Sequence, residues 1–362
     1  MFTDETPIPT AEESQRDDAE ESRPVELGAT NPFATVHIIG GQGGQSFSFY
    51  GGYDGAMLEK IGCWIGGWQI KAVKIWLTNG KVAQFGNAAG PYQEFAFEKG
   101  ELVQSMSLWG NGAGTRLGAI RFKTNRGREF FAKMNEWGLK QEYPIDIGSG
   151  LCVGVMGRAG SDMDSMGFVF VKLIKQSTMI EMNYPTIGNE SPNVRPETLA
   201  SVTYENGLDE PQEYAFEATK KLTYKESWSI TAGMEFAVSY KVTAGVPIVA
   251  QAEGGFSFKV SVSGTYGQEN TEEKTETWKF PVKVPPHKTV DATMSIGRAD
   301  ISLPYSAKVK IVTTDDAELI FAVNGNYEGI TYTKVNVSVR DVAAAPGAAP
   351  LIDEWLEVES RD

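Results

Sequence analysis

The stretch WSITAGMEFAVSYKV, Trp228–Val242, alternates without a break. Trp228, Ile230, Ala232, Met234, Phe236, Val238, Tyr240 and Val242 are apolar, and Ser, Thr, Gly, Glu, Ala, Ser and Lys stand between them. A period of two marks a strand with one face in an apolar medium. Its 15 residues are about three times the ordinary strand length of 5–6. The pattern returns in GFSFKVSVSGTY, Gly255–Tyr266, where Phe256, Phe258, Val260, Val262 and Tyr266 alternate with Ser257, Lys259, Ser261, Ser263 and Thr265. A half-buried sandwich strand alternates equally well, so the pattern alone leaves both environments open. Three features favour lipid. At ~3.3 Å per residue and a barrel tilt of ~40°, ten residues cover the ~25 Å apolar band of a membrane barrel. Between the limbs, Val246-Pro247-Ile248-Val249-Ala250 reads as an apolar tip, odd for a turn in water. Glu235, Lys241 and Lys259 all fall on the polar face, which suits a water-filled lumen. A Lys or Arg on the lipid face would cost ~2–4 kcal/mol at mid-bilayer.

Outward from this hairpin the chain remains β. Past Gln176, Thr, Ser, Glu and Lys dominate, and VPPHKTVDATMSIGRADISLPY and YEGITYTKVNVSVRD read as long antiparallel strands. Residues 36–175 are glycine-dense and tryptophan-rich, with short apolar runs such as GCWIGGWQIKAVKIWL and LCVGVMG separated by Gly and Asn turns. That is an all-β domain of many short strands, and no convincing amphipathic helix precedes residue 350. Residues 1–35 read as an acidic, disordered extension. Residues 341–362 read as an Ala/Pro linker and an acidic tail in which Leu351, Ile352, Trp355, Leu356 and Val358 cluster at helical spacing. The net charge of −14 resides in these ends. Nine acidic against two basic side chains precede residue 32, six against one follow residue 340, and the body is left at −2. Without a basic stripe, nucleic acid is not an expected partner.

The start of the chain has no basic segment followed by an apolar one, so a signal peptide is not expected. The expectation is a soluble protein acting at the cell surface or in endosomes, by unconventional release or as a secreted effector. Cys63 and Cys152 read as two buried free thiols. The two histidines are His37, in a Val-His-Ile-Ile strand pattern, and His287, after Pro285-Pro286. Neither reads as a catalytic base or a zinc ligand, so neither an enzyme nor a metal or other cofactor is expected.

HIIGGQGGQSFSFYGGYDG, His37–Gly55, carries four glycines within five residues. A dinucleotide loop needs a third spaced glycine and a helix after it; here Gly44-Gln-Ser46 leads into the strand pattern SFSFY, and no Gly-Lys-Ser/Thr follows. Phosphate is therefore excluded in favour of a second loop, GRAGSDMDSMGF, Gly157–Phe168. A glycine-started loop ending in carboxylates suits neutral sugars. A carboxylate accepts two hydroxyl hydrogen bonds, backbone N–H groups donate to the same oxygens, and glycines permit close approach.

With Gly40–Gly55, RLGAIRFKTNRG (116–127) and GRAGSDMDSMGF together, residues 36–175 resemble the jacalin-related lectin domain, a β-prism of three four-stranded sheets. The resemblance implies a sugar held between Gly43-Gly44 and Gly160–Asp164. Asp164 would accept from hydroxyls, Ser161, Asp162 and Met163 would supply backbone donors, and GNGAGT (110–115) would border the pocket. Asp162 is a departure, because the family often has an aromatic or other residue there. The galactose-specific branch needs a free amino terminus on its glycine loop, so a chain continuous through that loop points to mannose-type glycans. Residues 176–340, with the insertion hairpin at about 228–266, resemble the aerolysin-type β-pore-forming module, an elongated twisted β-sheet. The order of the two halves, with EKIGCWIGGWQIKAVKIWL, SLWGNGAGTRLGAI and EWGLKQEYPIDIGSG, resembles the natterin-like, aerolysin-like lectins. The implied partners are cell-surface mannose-type glycans, further copies of the chain in a ring, and a lipid membrane after assembly. The implied function is innate-immune pore formation by one hairpin per protomer. The alternatives are an agglutinating lectin with a rigid β-stalk that never perforates and, last, a kininogen-cleaving natterin.

Overall fold

A computed structural model describes residues 22–25, 30–188, 192–230, 242–252, 255–266 and 270–356. The glycine-punctuated half gives strands β1 (Ser22–Val25), β2 (Val36–Gly40), β3 (Gln45–Tyr50), β4 (Leu58–Ile65), β5 (Ile70–Leu77), β6 (Val82–Gly86), β7 (Tyr92–Ala96), β8 (Val103–Gly110), β9 (Leu117–Thr124), β10 (Glu129–Lys133), β11 (Tyr143–Pro144), β12 (Cys152–Ala159) and β13 (Met163–Phe170). They form three antiparallel sheets in the orders β1-β2-β13-β12-β3, β6-β5-β4-β7 and β10-β9-β8-β11. The inner faces converge on one core that includes Ile39, Ile61, Ile75, Ile120, Phe122 and Phe168. This is a β-prism, as expected. Cys63 and Cys152 are buried free thiols in it, and burial pushes both up, Cys152 to about 12.

One charged group is also sealed into the prism. Glu101 is buried and accepts from Arg128 Nε at 3.0 Å, from the Glu98 N–H at 2.8 Å and from Thr124. Burial alone would raise this carboxyl, but Arg128 with the amide and hydroxyl outweighs it and holds it at about 2. A depressed folded value stabilises above the ordinary carboxylate range, and that contribution is lost as pH falls towards about 2. The pair therefore persists at pH 5. Arg128→Met strands the carboxylate, and we expect a loss of about 2–3 kcal/mol at pH 7, shrinking at pH 3, in denaturant unfolding followed at both pH values.

The second half gives longer strands: β14 (Ile174–Asn183), β15 (Val194–Asn206), β16 (Gln212–Ile230), β17 (Val242–Ala252), β18 (Gly255–Tyr266), β19 (Asn270–Val284), β20 (Lys288–Thr313), β21 (Glu318–Asp341) and β22 (Ile352–Leu356). Their sheet runs β18-β17-β14-β20-β21-β16-β19, with β15 on β20 and β22 on β21. Burial alternates along β20 and β21, and Phe216, Trp278, Val282, Met294, Ile296 and Val337 belong to the core this produces. The chain divides into two compact units. One contains the chain up to Glu181 together with Ala307–Val323; the other contains Met182–Ser229, Thr243–Ser306 and the chain from Asn324. The β20–β21 turn thus belongs with the prism. Lys172 and Lys175 lie 2.7 Å from the Asp315 and Asp316 carboxylates, and Thr314 N–H donates to Leu173 O at 2.9 Å.

Three expectations are corrected. Within the acidic extension, Ser22–Val25 is not disordered but pairs as β1 with β2, Arg23 opposite Ile38. These four residues carry no acid, and Pro24 is tolerated because β1 is an edge strand. The remaining residues before Asn31, other than Thr30, lie outside the described part. The C-terminal segment is strand β22 on Val335–Val339, not a helix. Ile352 and Leu356, four apart, share a face in a helix and in a strand alike, so the spacing could not decide between them. So few residues do not nucleate a helix, whereas β21 supplies a ready ladder and the core receives both side chains. Val358 lies outside the described residues. Finally, Val246–Ala250 is not a turn but the middle of β17, where Val246 and Val249 are buried and Ile248 is exposed.

Candidate carbohydrate site and insertion hairpin

The connection between β2 and β3, residues 41–44, lies against the β12–β13 turn, residues 160–162. Gly41 N–H donates to Asp164 O at 2.8 Å, and Gly160 N–H donates to Asp162 O at 3.0 Å. Glycine is required at two positions by close approach. A Cβ on Gly43 would meet Asp164 Oδ1 at 2.4 Å, and one on Gly44, at φ +61°, would meet Asp164 Oδ2 at 2.4 Å. The two expected loops are therefore in contact, although more than a hundred residues separate them.

Gly43, Gly44, Gly160 and Ser161 are exposed and form the rim. Asp162 and Asp164 are buried beneath, 8% and 3% exposed. Met163 is wholly buried and its side chain belongs to the prism core, leaving only its backbone for any ligand. Asp164 was expected as an open acceptor, yet its Oδ1 is ion-paired with Arg116 Nη1 at 2.9 Å. Asp162 Oδ1 lies 2.8 Å from Lys71 Nζ, and its Oδ2 lies 3.6 Å from Arg116 Nε. Burial raises the Asp164 carboxyl, the neighbouring Asp162 adds to this, and Arg116, the Gly160 amide and Arg158 oppose it. Two carboxylates are tolerated at this depth because two cations share them.

The cations are what sequence reasoning missed. Arg116 directly follows GNGAGT, whose Asn111 organises the turn: its Oδ1 accepts from the N–H groups of Ala113, Thr115 and Arg116 at 3.1–3.3 Å. Arg158 stands inside GRAGSD and donates from Nε and Nη2 to the Gly43 and Gly44 carbonyls, both at 2.8 Å. Arg23 of β1 donates to Gly41 O at 2.9 Å. These arginines bolt the glycine loop in place. Arg116 and Arg158 lie within quoted motifs and were there to be found; Lys71 and Arg23 reach the site only through the fold.

The hairpin residues divide between described and undescribed parts. Trp228 is buried; Nε1 donates to Tyr184 Oη at 3.4 Å, and the ring lies 5.0 Å from that of Tyr327. Tyr184 Oη donates in turn to Gly245 O at 2.6 Å, tying β17 to this aromatic cluster. Ile230 ends β16 and Val242 begins β17. Met234, Glu235, Phe236, Val238, Tyr240 and Lys241 lie outside the described residues. In β18, Phe256 and Phe258 are half-buried, Lys259 and Val260 are exposed, and Val262 continues the strand. β18 is at the edge of the sheet, and in the strand order one ladder, that of β17 with β14, joins β17 and β18 to the other strands.

Residues 36–169 match the family described as the jacalin-like lectin domain, and residues 166–349 match Clostridium epsilon toxin ETX/Bacillus mosquitocidal toxin MTX2. Natterin-3 of Thalassophryne nattereri is 25% identical over 178 residues, 49% of either chain, so the match spans about half the length of that relative. The crystal structure of lamprey immune protein is 50% identical, with 86% of this chain and 99% of that one covered, at a TM-score of 0.75. The chain belongs to the ETX/MTX2 family of aerolysin-type proteins and, with its jacalin-like domain in front, to the natterin-like fusions of a lectin with a pore-forming module.

Proposed function

We propose that the protein binds mannose-type glycans on a cell surface through its prism, assembles there into a ring, and closes a β-barrel from one hairpin per protomer. The observation that supports the pore most directly is the register of β16 on β19. Gln212 stands opposite Val284 and Glu226 opposite Asn270, without a slip. Continued past Glu226, the same register would set Ile230 opposite Tyr266, Met234 opposite Val262, Val238 opposite Phe258 and Tyr240 opposite Phe256, and bring the turn to Ile248. Every large apolar residue of both limbs then shares one face, and Glu235, Ala237, Lys241 and Lys259 share the other. The apolar Val246–Ala250, a strand in the folded chain, becomes the tip. Insertion in this reading refolds β17 about Ile248. A single hairpin in lipid would leave backbone groups unpaired at its edges, so the step is cooperative among protomers. Several heads on one surface raise weak sugar contacts to useful avidity.

In this reading the lectin domain is 36–175 and the pore module 176–340. The exposed amides of Gly43, Gly44 and Ser161 donate to the sugar, Gly160 shapes the turn through its own N–H to Asp162 O, and Asp162 and Asp164 accept through lone pairs that Arg116 and Lys71 leave open. Asp164→Asn is expected to lower methyl α-mannoside affinity at least tenfold with the fold retained, at a somewhat lower melting temperature because Asp164 is the buried partner of Arg116. Because burial raises the Asp164 carboxyl, wild-type affinity should also fall, as pH drops, sooner than an ordinary aspartate would dictate. Titration calorimetry across pH 4–7.5 reads both. A glycan array with dye release from mannan-bearing liposomes tests the whole reading: sugar binding with retained dye would favour the non-perforating agglutinin.

A further inference from the structure

Trp68 and Trp137 are exposed tryptophans that lie against each other. Trp68 lies in the β4–β5 connection and is 39% exposed; Trp137 follows β10 and is 48% exposed. Their rings stand 5.9 Å apart at 36°. Leaving two large apolar rings in water forgoes burial worth about 1.5–3 kcal/mol each. Yet the backbone is arranged to hold them there. Gly67 O accepts from the N–H groups of Glu136 at 2.7 Å and Trp137 at 3.1 Å, and Gly66 O accepts from Asn135 at 3.2 Å. The Glu136 carboxylate lies over Gly67, 2.5 Å from where a Cβ would stand.

The pair also borders the candidate sugar site. Lys71, three residues after Trp68, is the partner of Asp162. Lys140, three residues after Trp137, donates to Gly112 O at 3.0 Å, in the turn that ends at Arg116. The loops at 66–69, 135–140, 111–116 and 160–164 thus form a continuous belt of contacts, with the indoles on one arc and the carboxylates on another. Within that belt Gln69 is 3% exposed, and its buried Oε1 has no hydrogen-bond partner.

We propose that Trp68 and Trp137 form a second saccharide subsite that stacks a further pyranose of an oligosaccharide anchored at Gly43-Gly44 and Gly160–Asp164; this rests on the sugar reading of those loops. The apolar C–H face of a pyranose matches an indole face, while Lys71 and Glu136 provide a polar rim for its hydroxyls. Lipid is the poorer occupant. The exposed and half-buried positions flanking the indoles are mostly glycine or polar, Gly66, Gly67, Asn135, Glu136 and Gly138, with Leu139 the one partly exposed aliphatic side chain, and they bring a carboxylate.

The test uses the full chain, titrated with methyl α-mannoside and with a high-mannose oligosaccharide. Wild type should favour the oligosaccharide, and Trp68→Ala and Trp137→Ala should each reduce that affinity about tenfold without changing methyl α-mannoside binding. Trp68→Phe and Trp137→Phe, which keep a ring, should retain most of it. Unchanged oligosaccharide affinity in the alanine variants overturns the subsite. Equal losses on both probes overturn it too, since the indoles would then only shape the neighbouring loops. Glycan-free phosphatidylcholine vesicles that bind wild type and release the Trp68→Ala/Trp137→Ala double variant would make the pair a lipid contact instead. A wild-type chain that binds neither sugar overturns the glycan reading and the subsite together. Binding that Asp164→Asn abolishes and the tryptophan variants leave intact overturns the subsite alone.

Discussion

Phe256→Lys is expected to fold and bind glycans like wild type and to release no dye from liposomes. In the continued β16–β19 register, Phe256 stands eight residues from the turn at Ile248, about 20 Å along a tilted barrel wall. That is inside the ~25 Å apolar band and on the lipid face, where a lysine is unfavourable, by ~2–4 kcal/mol at the midplane and less towards the interface. Every protomer bears the cost, so a ring multiplies it. In the folded chain Phe256 is only half-buried, its ring 6.3 Å from that of Trp355 and nearly perpendicular to it, so the substitution disturbs little there. Ser257→Lys is the control: one residue on, equally deep, but facing the lumen. It should retain release. Wild-type release from Phe256→Lys would remove the assignment of faces, and loss in both variants would mean a different register.

A Met182→Cys/Gly245→Cys pair should abolish release when oxidised and restore it on reduction, with sugar binding constant throughout. β17 must leave β14 for the hairpin to extend, and the two residues face each other across that ladder, the Met182 Sδ 3.5 Å from where a Gly245 Cβ would stand. The bond would hold β17 beside the Tyr184 hydroxyl that already takes the Gly245 carbonyl. Cys63 and Cys152 are buried and raised by that burial, so they should not compete for the bridge. Release as fast oxidised as reduced would show that β17 stays in place, and the membrane-active segment would have to be sought elsewhere.

The parts of the fold that could be read directly were those where periodicity is strong. The long alternations in β16, β18, β20 and β21 and the glycine-bounded runs of the prism state their own strands, because side chains in a strand repeat every two residues whatever surrounds them. The segments that misled are short or lie at the margins. Four residues of β1 and five of β22 carry too little pattern to show a period, and each becomes a strand because a neighbour offers an open edge. Val246–Ala250 has a sequence suited to a tip and occupies a strand, since the same residues can pair in two ways and the folded chain uses one of them.

At the candidate site the glycines and both aspartates were legible, because close approach and acceptor chemistry each demand a particular residue type. Their electrostatic setting was not. Lys71 and Arg116 meet Asp162 and Asp164 across different sheets of the prism, and a cation's partner is decided by which loops the topology brings to one end. The exposure of Trp68 and Trp137 belongs to the same category: a tryptophan in a β-run reads as core until the fold leaves it at a turn. Local sequence, through period and residue type, therefore determined that this chain is a glycine-rich lectin-like prism followed by a long-stranded module with an amphipathic hairpin. Tertiary structure alone decided which charges neutralise the carboxylates, which edges the ends of the chain complete, and where β17 and β18 rest, because ion pairs and edge pairing depend on neighbours distant in sequence.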